Sequence, residues 1–237
     1  MIKINNLTKK YKEKYAVNNL NLEIKSGELF SLLGTNGAGK TTTIKMLSTL
    51  ILPTSGEVKI NDFDLIKDSA KIKEIINISP QETAIAPNLT VIENLYFMAG
   101  IYQIINKEEK INELVKIFKL DDVLKQKAKT LSGGYQRKLS IAISLINSPK
   151  ILFLDEPTLG LDVISRHDLW NVIESLKGNT TIILTTHYME EAEKLSDRIG
   201  IMNKGKLIEL GTAKELIKKK KTKTFEDAFI KTIEEDN

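Results

Sequence analysis

Residues 2–6 and 20–24 alternate apolar and polar positions, a period of two that predicts two half-buried strands. Residues 29–33 are instead nearly all apolar and stop at Gly34, the pattern of a strand buried on both faces. A helical stretch starts near Lys40. Ser55 and Gly56 then break the chain before a strand at 57–60, which turns at Asn61 and Asp62. From about Val91 to Ile146 the strand signals vanish. Ile111, Leu114, Val115 and Phe118 recur at helical spacing, and Pro149 closes the stretch. Residues 151–154 (ILFL) and 181–184 (TIIL) are two further apolar runs, separated by a helical stretch with Leu169, Trp170, Val172, Ile173 and Leu176. Strand, helix and strand at that spacing predict a parallel sheet with crossover helices. Residues 199–202 and 207–210 flank Asn203-Lys204-Gly205 as a hairpin, and Thr212 with Glu215 predicts a capping box at a terminal helix.

Residues 34–41, GTNGAGKT, fall between a predicted strand and a predicted helix, which is the setting a phosphate-binding loop requires. Glycine lets successive backbone N–H groups turn inward, and those donors with the helix start make a nest for a polyphosphate. Lys40 is placed to reach the outer phosphates. Thr41 offers a hydroxyl to Mg²⁺.

The ILFL run ends in Asp155 and Glu156, at the carboxyl end of a parallel strand where ligands bind in such sheets. Asp155 suits the oxygen shell of Mg²⁺. Glu156 is the candidate to orient and deprotonate an attacking water. A second glycine-rich helix start follows in residues 131–136, LSGGYQ. Ser132 caps it, and Gly133 and Gly134 open its N-terminus to an anion. Sequence alone leaves open whether this site meets the phosphate loop of its own chain or of another. A merely capped helix is the plainer reading.

Composition changes the picture little. Of 237 residues 41% are hydrophobic and 28% charged, which excludes a largely disordered chain. With no cysteine, thiolate metal sites and cysteine nucleophiles are excluded, and the cytosol is a fitting compartment. A balance of 35 basic against 31 acidic residues is too even to argue for nucleic acid. No run approaches the 18 or so apolar residues of a membrane helix, and the N-terminus lacks the apolar segment of a secretory signal. In the tail, residues 214–223 carry six lysines and one glutamate, while 224–237 carry five acids and one lysine. This predicts a self-pairing helix pair, with contact between Lys218–Lys221 and anionic lipid as the sharper alternative. Phe225, Ala228 and Phe229 form an apolar stripe expected to dock on the core or on a twin subunit.

GTNGAGKTT, PQE at 80–82, LSGGYQ, ILFLDEPTLGLD and TTH at 185–187 occur in this order, and together they resemble the ATP-binding subunits of ABC transporters over residues 2–211. The resemblance implies an α/β fold. That fold has a P-loop NTPase core with a parallel sheet, an N-terminal antiparallel β portion and an inserted α-helical subdomain at about 86–149. The ATPase domain would span 1–211 and a helical tail 212–237. It implies ATP held by Gly34, Asn36, Gly37, Ala38, Gly39, Lys40, Thr41 and Thr42, with Tyr11 stacked on adenine and Tyr15 its rival. It implies Mg²⁺ at Thr41, Gln81 and Asp155, and a catalytic set of Glu156, His187, Gln81 and Lys40. Ser132, Gly133, Gly134, Gln136 and Asp162 would act across a dimer, closing on the ATP of a second ATPase subunit in a homodimer. His167 matches no motif. Thr35 departs from the family, which usually has proline there, at a position not expected to touch phosphate. The implied partner is a separate transmembrane permease, on the cytoplasmic face of the cell membrane, with no nucleic acid. TLGLD, the stretch from THYMEEAEKL to KGKL, and FEDAFI resemble the drug and sodium efflux branch. An importer subunit, or a non-transport member acting on ribosomes or DNA, remains the alternative.

Overall fold

Three strands lie buried along their whole length: β3 (Leu29–Gly34), β7 (Ile151–Asp155) and β8 (Thr181–Thr186). In the computed structural model, which describes residues 1–236, they form the centre of a six-stranded sheet. The remaining strands are β1 (Ile2–Tyr11), β2 (Lys14–Ile24), β4 (Ser55–Ile60), β5 (Phe63–Asp64), β6 (Ile76–Ser79), β9 (Arg198–Asn203) and β10 (Lys206–Gly211). The helices are α1 (Lys40–Leu47), α2 (Ser69–Ile75), α3 (Val91–Ile101), α4 (Lys107–Phe118), α5 (Gly133–Ser144), α6 (Val163–Ser175), α7 (Met189–Leu195), α8 (Ala213–Lys220) and α9 (Phe225–Glu235).

The large sheet has the order β10-β9-β3-β8-β7-β6, parallel except for the β9–β10 hairpin. A smaller antiparallel sheet, β2-β1-β4-β5, faces it. The all-apolar ILFL run follows from this layering. Leu152 and Leu154 pack with α3, α4, α5 and α6 on one side, and Ile151 and Phe153 pack with α1 and the antiparallel strands on the other. A strand covered on both faces has no polar side to show. The parallel sheet is the one the sequence pattern predicted, and the mixed α/β architecture with both sheets is the one the resemblance implied.

Strand β6 carries no comparable signal in INIS. It is a four-residue edge strand, and parallel pairing with β7 defines it. The chain between β6 and β7 is helical, and Thr90 caps α3 in a full capping box with Glu93.

At the other edge α8 and α9 fold back on the sheet. Phe225, Ala228 and Phe229 pack with α7 residue Ala192 and with Ile199 and Ile201 of β9. Lys220 bridges Glu209 and Glu235 at 3.1 and 2.6 Å, so the basic and acidic halves of the tail pair with each other. The pair with exposed Glu235 contributes little, roughly 0–1 kcal/mol, so the buried phenylalanines do most to hold the tail in place. Among the described residues no helix is long and apolar enough to cross a membrane.

Candidate functional site

The loop from Gly34 to Gly39 links β3 to α1, and two of its glycines are steric necessities. A Cβ on Gly34 would lie 2.4 Å from the Met202 carbonyl oxygen. One on Gly39, at φ 104°, would lie 2.4 Å from that of Ala16. Helices α3, α5, α6, α8 and α9 have side-chain caps, whereas α2, α4 and α7 have none, and neither does α1, with Gly39 at its N-cap. Its first amides are left to a ligand, and a phosphate fits donors of that kind.

Lys40 is only 4% exposed. Its Nζ donates to the carbonyls of Gly34 at 2.8 Å and Thr35 at 3.1 Å, and stands 3.6 Å from Glu156 Oε1. Burial lowers the Lys40 pKa, and the neighbouring Glu156 carboxylate partly opposes that shift.

The acidic pair closes the other side. Asp155 Oδ1 accepts from Thr41 Oγ1 at 3.0 Å and from Thr185 Oγ1. Glu156 sits just past β7 at φ 47°, a left-handed conformation that costs a non-glycine residue roughly 1–2 kcal/mol. Its amide is pinned to the Thr185 main-chain oxygen at 3.1 Å and its Oγ1 at 3.0 Å. That turn aims the carboxylate at Lys40, and Oε2 meets His187 Nδ1 at 3.1 Å. A carboxylate aimed by a left-handed backbone and held between a lysine and a histidine is a geometry suited to chemistry.

These groups line one cleft of about 620 Å³. Tyr11, Asn36, Gly37, Ala38, Gly39, Lys40, Thr41, Thr42, Gln81, Glu156 and His187 all border it, together with Lys14, Ala16 and Leu159. Half-exposed Tyr11 is on its wall, and Tyr15 is not. Gly34 and Asp155 lie behind the lining, tied in through Lys40 and Thr41. Thr41 and Asp155 present hard oxygens that fit Mg²⁺. Among the described residues no three His, Asp or Glu side chains form a self-sufficient metal site, so phosphate and water would have to complete the shell.

Ser132, Gly133, Gly134, Gln136 and Asp162 do not line this cleft. Ser132 caps α5, accepting from Tyr135 N. Gln136 Nε2 turns back onto the carbonyls of Ala128 and Leu131, both at 3.2 Å. Asp162 caps α6 through the amides of Ile164 and Ser165, both at 3.0 Å, and the Ser165 side chain first, with these amides, holds its carboxyl below the usual range. His167 is exposed beside Trp170.

A family model described as ABC transporter matches residues 17–159. The linearmycin resistance ATP-binding protein LnrL of Bacillus subtilis is 40% identical over 219 residues, covering 91% of this chain and 70% of that protein. The chain belongs to the ABC transporter family. The phospholipid-transporting ATPase ABCA3 of Homo sapiens is 43% identical over 212 residues, 87% of this chain but 12% of that protein, so this chain spans a small part of that relative. Among solved structures, an ATP-binding subunit of an ABC transporter superposes with a TM-score of 0.87 at 25% identity, covering 98% of this chain and 99% of that one. A dimeric post-hydrolysis cassette bound to ADP and Pi reaches 0.80 at 30% identity, covering 90% and 98%.

Two buried groups of this ABC cassette have no motif that announces them. Arg137, on α5, donates to four main-chain carbonyls and keeps its proton at neutral pH although burial lowers its pKa to about 10. Glu191, on α7, accepts from Thr158 Oγ1 at 2.7 Å and Trp170 Nε1 at 2.9 Å through Oε1, while its buried Oε2 has no partner. Burial raises the Glu191 pKa above its ordinary 4.5. The folded chain therefore holds this proton to higher pH than the unfolded chain. Stability falls as pH rises from about the unfolded value through the raised folded one, and the loss is complete above it. Glu191→Gln removes that loss, so its gain in Tm over the wild type should be larger at pH 8 than at pH 5. Equal differences in thermal melts at the two pH values would contradict the assignment.

Proposed function

We propose that this chain is the ATP-hydrolysing subunit of a membrane exporter, closing with a second copy around two ATP molecules and driving a permease carried on a separate chain. One observation carries the reading. The phosphate loop, Glu156 and His187 converge on one cleft, with Asp155 behind its lining and bonded to Thr41, while the second glycine-rich helix start lies outside it. A chain with both halves of a nucleotide site but not in one place needs a second copy to complete each site. ATP bound through both halves then favours the closed pair by its differential affinity.

The residues divide the work as follows. The loop amides of residues 36–42 and Lys40 hold the polyphosphate, with Tyr11 against the base. Bound Mg²⁺, held by Thr41, Asp155 and Gln81, would neutralise phosphate charge. Glu156 orients the water for in-line attack and accepts its proton. His187, in contact with Glu156, keeps that carboxylate in place and supports the γ-phosphate. Lys40 exchanges Glu156 for phosphate when nucleotide enters, which frees the carboxylate for water. Export is favoured by relatives named for linearmycin resistance and phospholipid transport. The work would be done at the cytoplasmic face of the membrane, through the permease.

The test is to tag the full chain, solubilise native membranes gently and identify what co-purifies. A polytopic membrane protein in stoichiometric amount is expected. Recovery with ribosomes or DNA instead would overturn the transport reading and leave the ATPase chemistry to another machine.

A further inference from the structure

We propose that Arg137 is a positioning residue for hydrolysis, clamping Glu156 from both sides and tying it to Gln81 and to the start of α5. The proposal rests on the ATPase reading of Glu156. Arg137 lies one turn beyond Ser132, Gly133 and Gly134, and it is 4% exposed. Its Nε donates to the Pro157 carbonyl at 2.8 Å and its Nη2 to that of Asp155 at 2.9 Å. Those are the residues directly after and before Glu156. Its Nη1 donates to the carbonyls of Pro80 and, at 3.3 Å, Gln81.

The chemistry explains why arginine is required. A guanidinium is planar and fixed, with donors pointing in several directions at once, so one side chain can reach four carbonyls in two backbone segments. An ammonium is a single point and reaches one or two acceptors. The segment gripped also carries a residue in the left-handed region. Glu156 holds φ 47°, and such a conformation persists only when its surroundings over-determine it. The Thr185 bonds fix the Glu156 amide, and Arg137 holds the carbonyl of that same peptide, from Asp155, and the Pro157 carbonyl one peptide beyond Glu156. The same side chain fixes the Gln81 segment and, through α5, the glycine-rich helix start. Residues meant for this chain's own cleft and residues meant for the partner's are thereby set in one frame.

Arg137→Lys and Arg137→Met in the full chain test this, with ATP affinity, kcat, Tm and amide hydrogen exchange read on each. ATP affinity should stay near wild type, because the phosphate loop is untouched. A misplaced Glu156 should lower kcat by about 10- to 100-fold in both variants. Lysine, which keeps the charge but gathers its donors on one nitrogen, should recover much of the Tm lost with methionine but little of the kcat. Exchange should speed up at residues 80–83 and 156–160 in Arg137→Lys. Recovery of kcat in step with Tm, or unchanged exchange in both segments, would overturn the clamp. Should Arg137→Met fail to fold, Arg137→Lys still decides. A wild-type chain without ATPase activity would defeat the underlying reading instead, and the exchange comparison would still decide whether Arg137 holds the two segments.

Discussion

Glu156→Gln binds ATP at least as well as the wild type, hydrolyses it slower by about 10²–10⁴-fold, and accumulates as a dimer in the presence of ATP. The loss of turnover follows from what the amide cannot do. It has the shape of the carboxylate, so the turn after β7 and the contact with His187 survive, but it cannot accept a proton from water. Retained binding follows from the position of Lys40. In this structure Glu156 Oε1 stands 3.6 Å from Lys40 Nζ and competes for it. Neutralising the carboxylate frees Lys40 for phosphate and removes a negative charge from the cleft. Dimer accumulation follows because the γ-phosphate that would bridge the two halves is no longer removed. Gel filtration with and without ATP, alongside a phosphate-release assay, reads all three. An ATP-loaded variant that stays monomeric, or one that turns over at wild-type rate, would falsify the roles given to Glu156 and to the second copy.

The parts of the site that could be read in the sequence are those whose chemistry is local. GTNGAGKT joins a strand to a helix within a few residues, so its donors must point at one place whatever the rest of the chain does. Asp155 and Glu156 follow a fully apolar run, which by itself puts them at the end of a buried strand. Ser132 is legible as a cap for the same reason. What α5 presents its N-terminus to is not local, and within the chain that N-terminus lies outside the cleft.

Arg137 and Glu191 show what pattern reading misses. An arginine on a helix belongs by default to the solvent face, since buried arginines are rare unless paired. Arg137 is satisfied by carbonyls of Pro80, Gln81, Asp155 and Pro157, and main-chain acceptors leave no mark on the sequence. In MEEAEKL three acids stand almost side by side, and only the approach of Thr158 and Trp170 singles out Glu191. Strand β6 was hidden in another way. It is short and at an edge, so no long apolar run is required of it, and its partner lies some seventy residues away. In each case the missing information is a contact between segments distant in the chain.

Lys40→Ala loses ATP binding and, with it, both hydrolysis and ATP-dependent dimerisation. Lys40 is the cation nearest the phosphate loop and is nearly buried, with its Nζ already satisfied by the carbonyls of Gly34 and Thr35. Its energy is therefore not that of a surface ion pair. Truncating one partner of a buried, hydrogen-bonded charge pair costs about 2–5 kcal/mol, or roughly 30- to several-thousand-fold in affinity. Two further effects push the same way. The loop loses the tether that holds its carbonyls turned away from the ligand, and the Glu156 carboxylate is left in the cleft without its counter-charge, where it repels an incoming polyphosphate. Lys40→Met separates these effects, because its unbranched side chain still fills the space beneath the loop. Its affinity should be as poor as that of alanine if charge dominates, and clearly better if the loss comes from loop packing. Titration calorimetry with ATP, with thermal melts to confirm that both variants fold, measures this directly. Tight ATP binding by either folded variant would contradict the assignment of residues 34–41 as the phosphate site, and the dimer model that depends on it would lose its ligand.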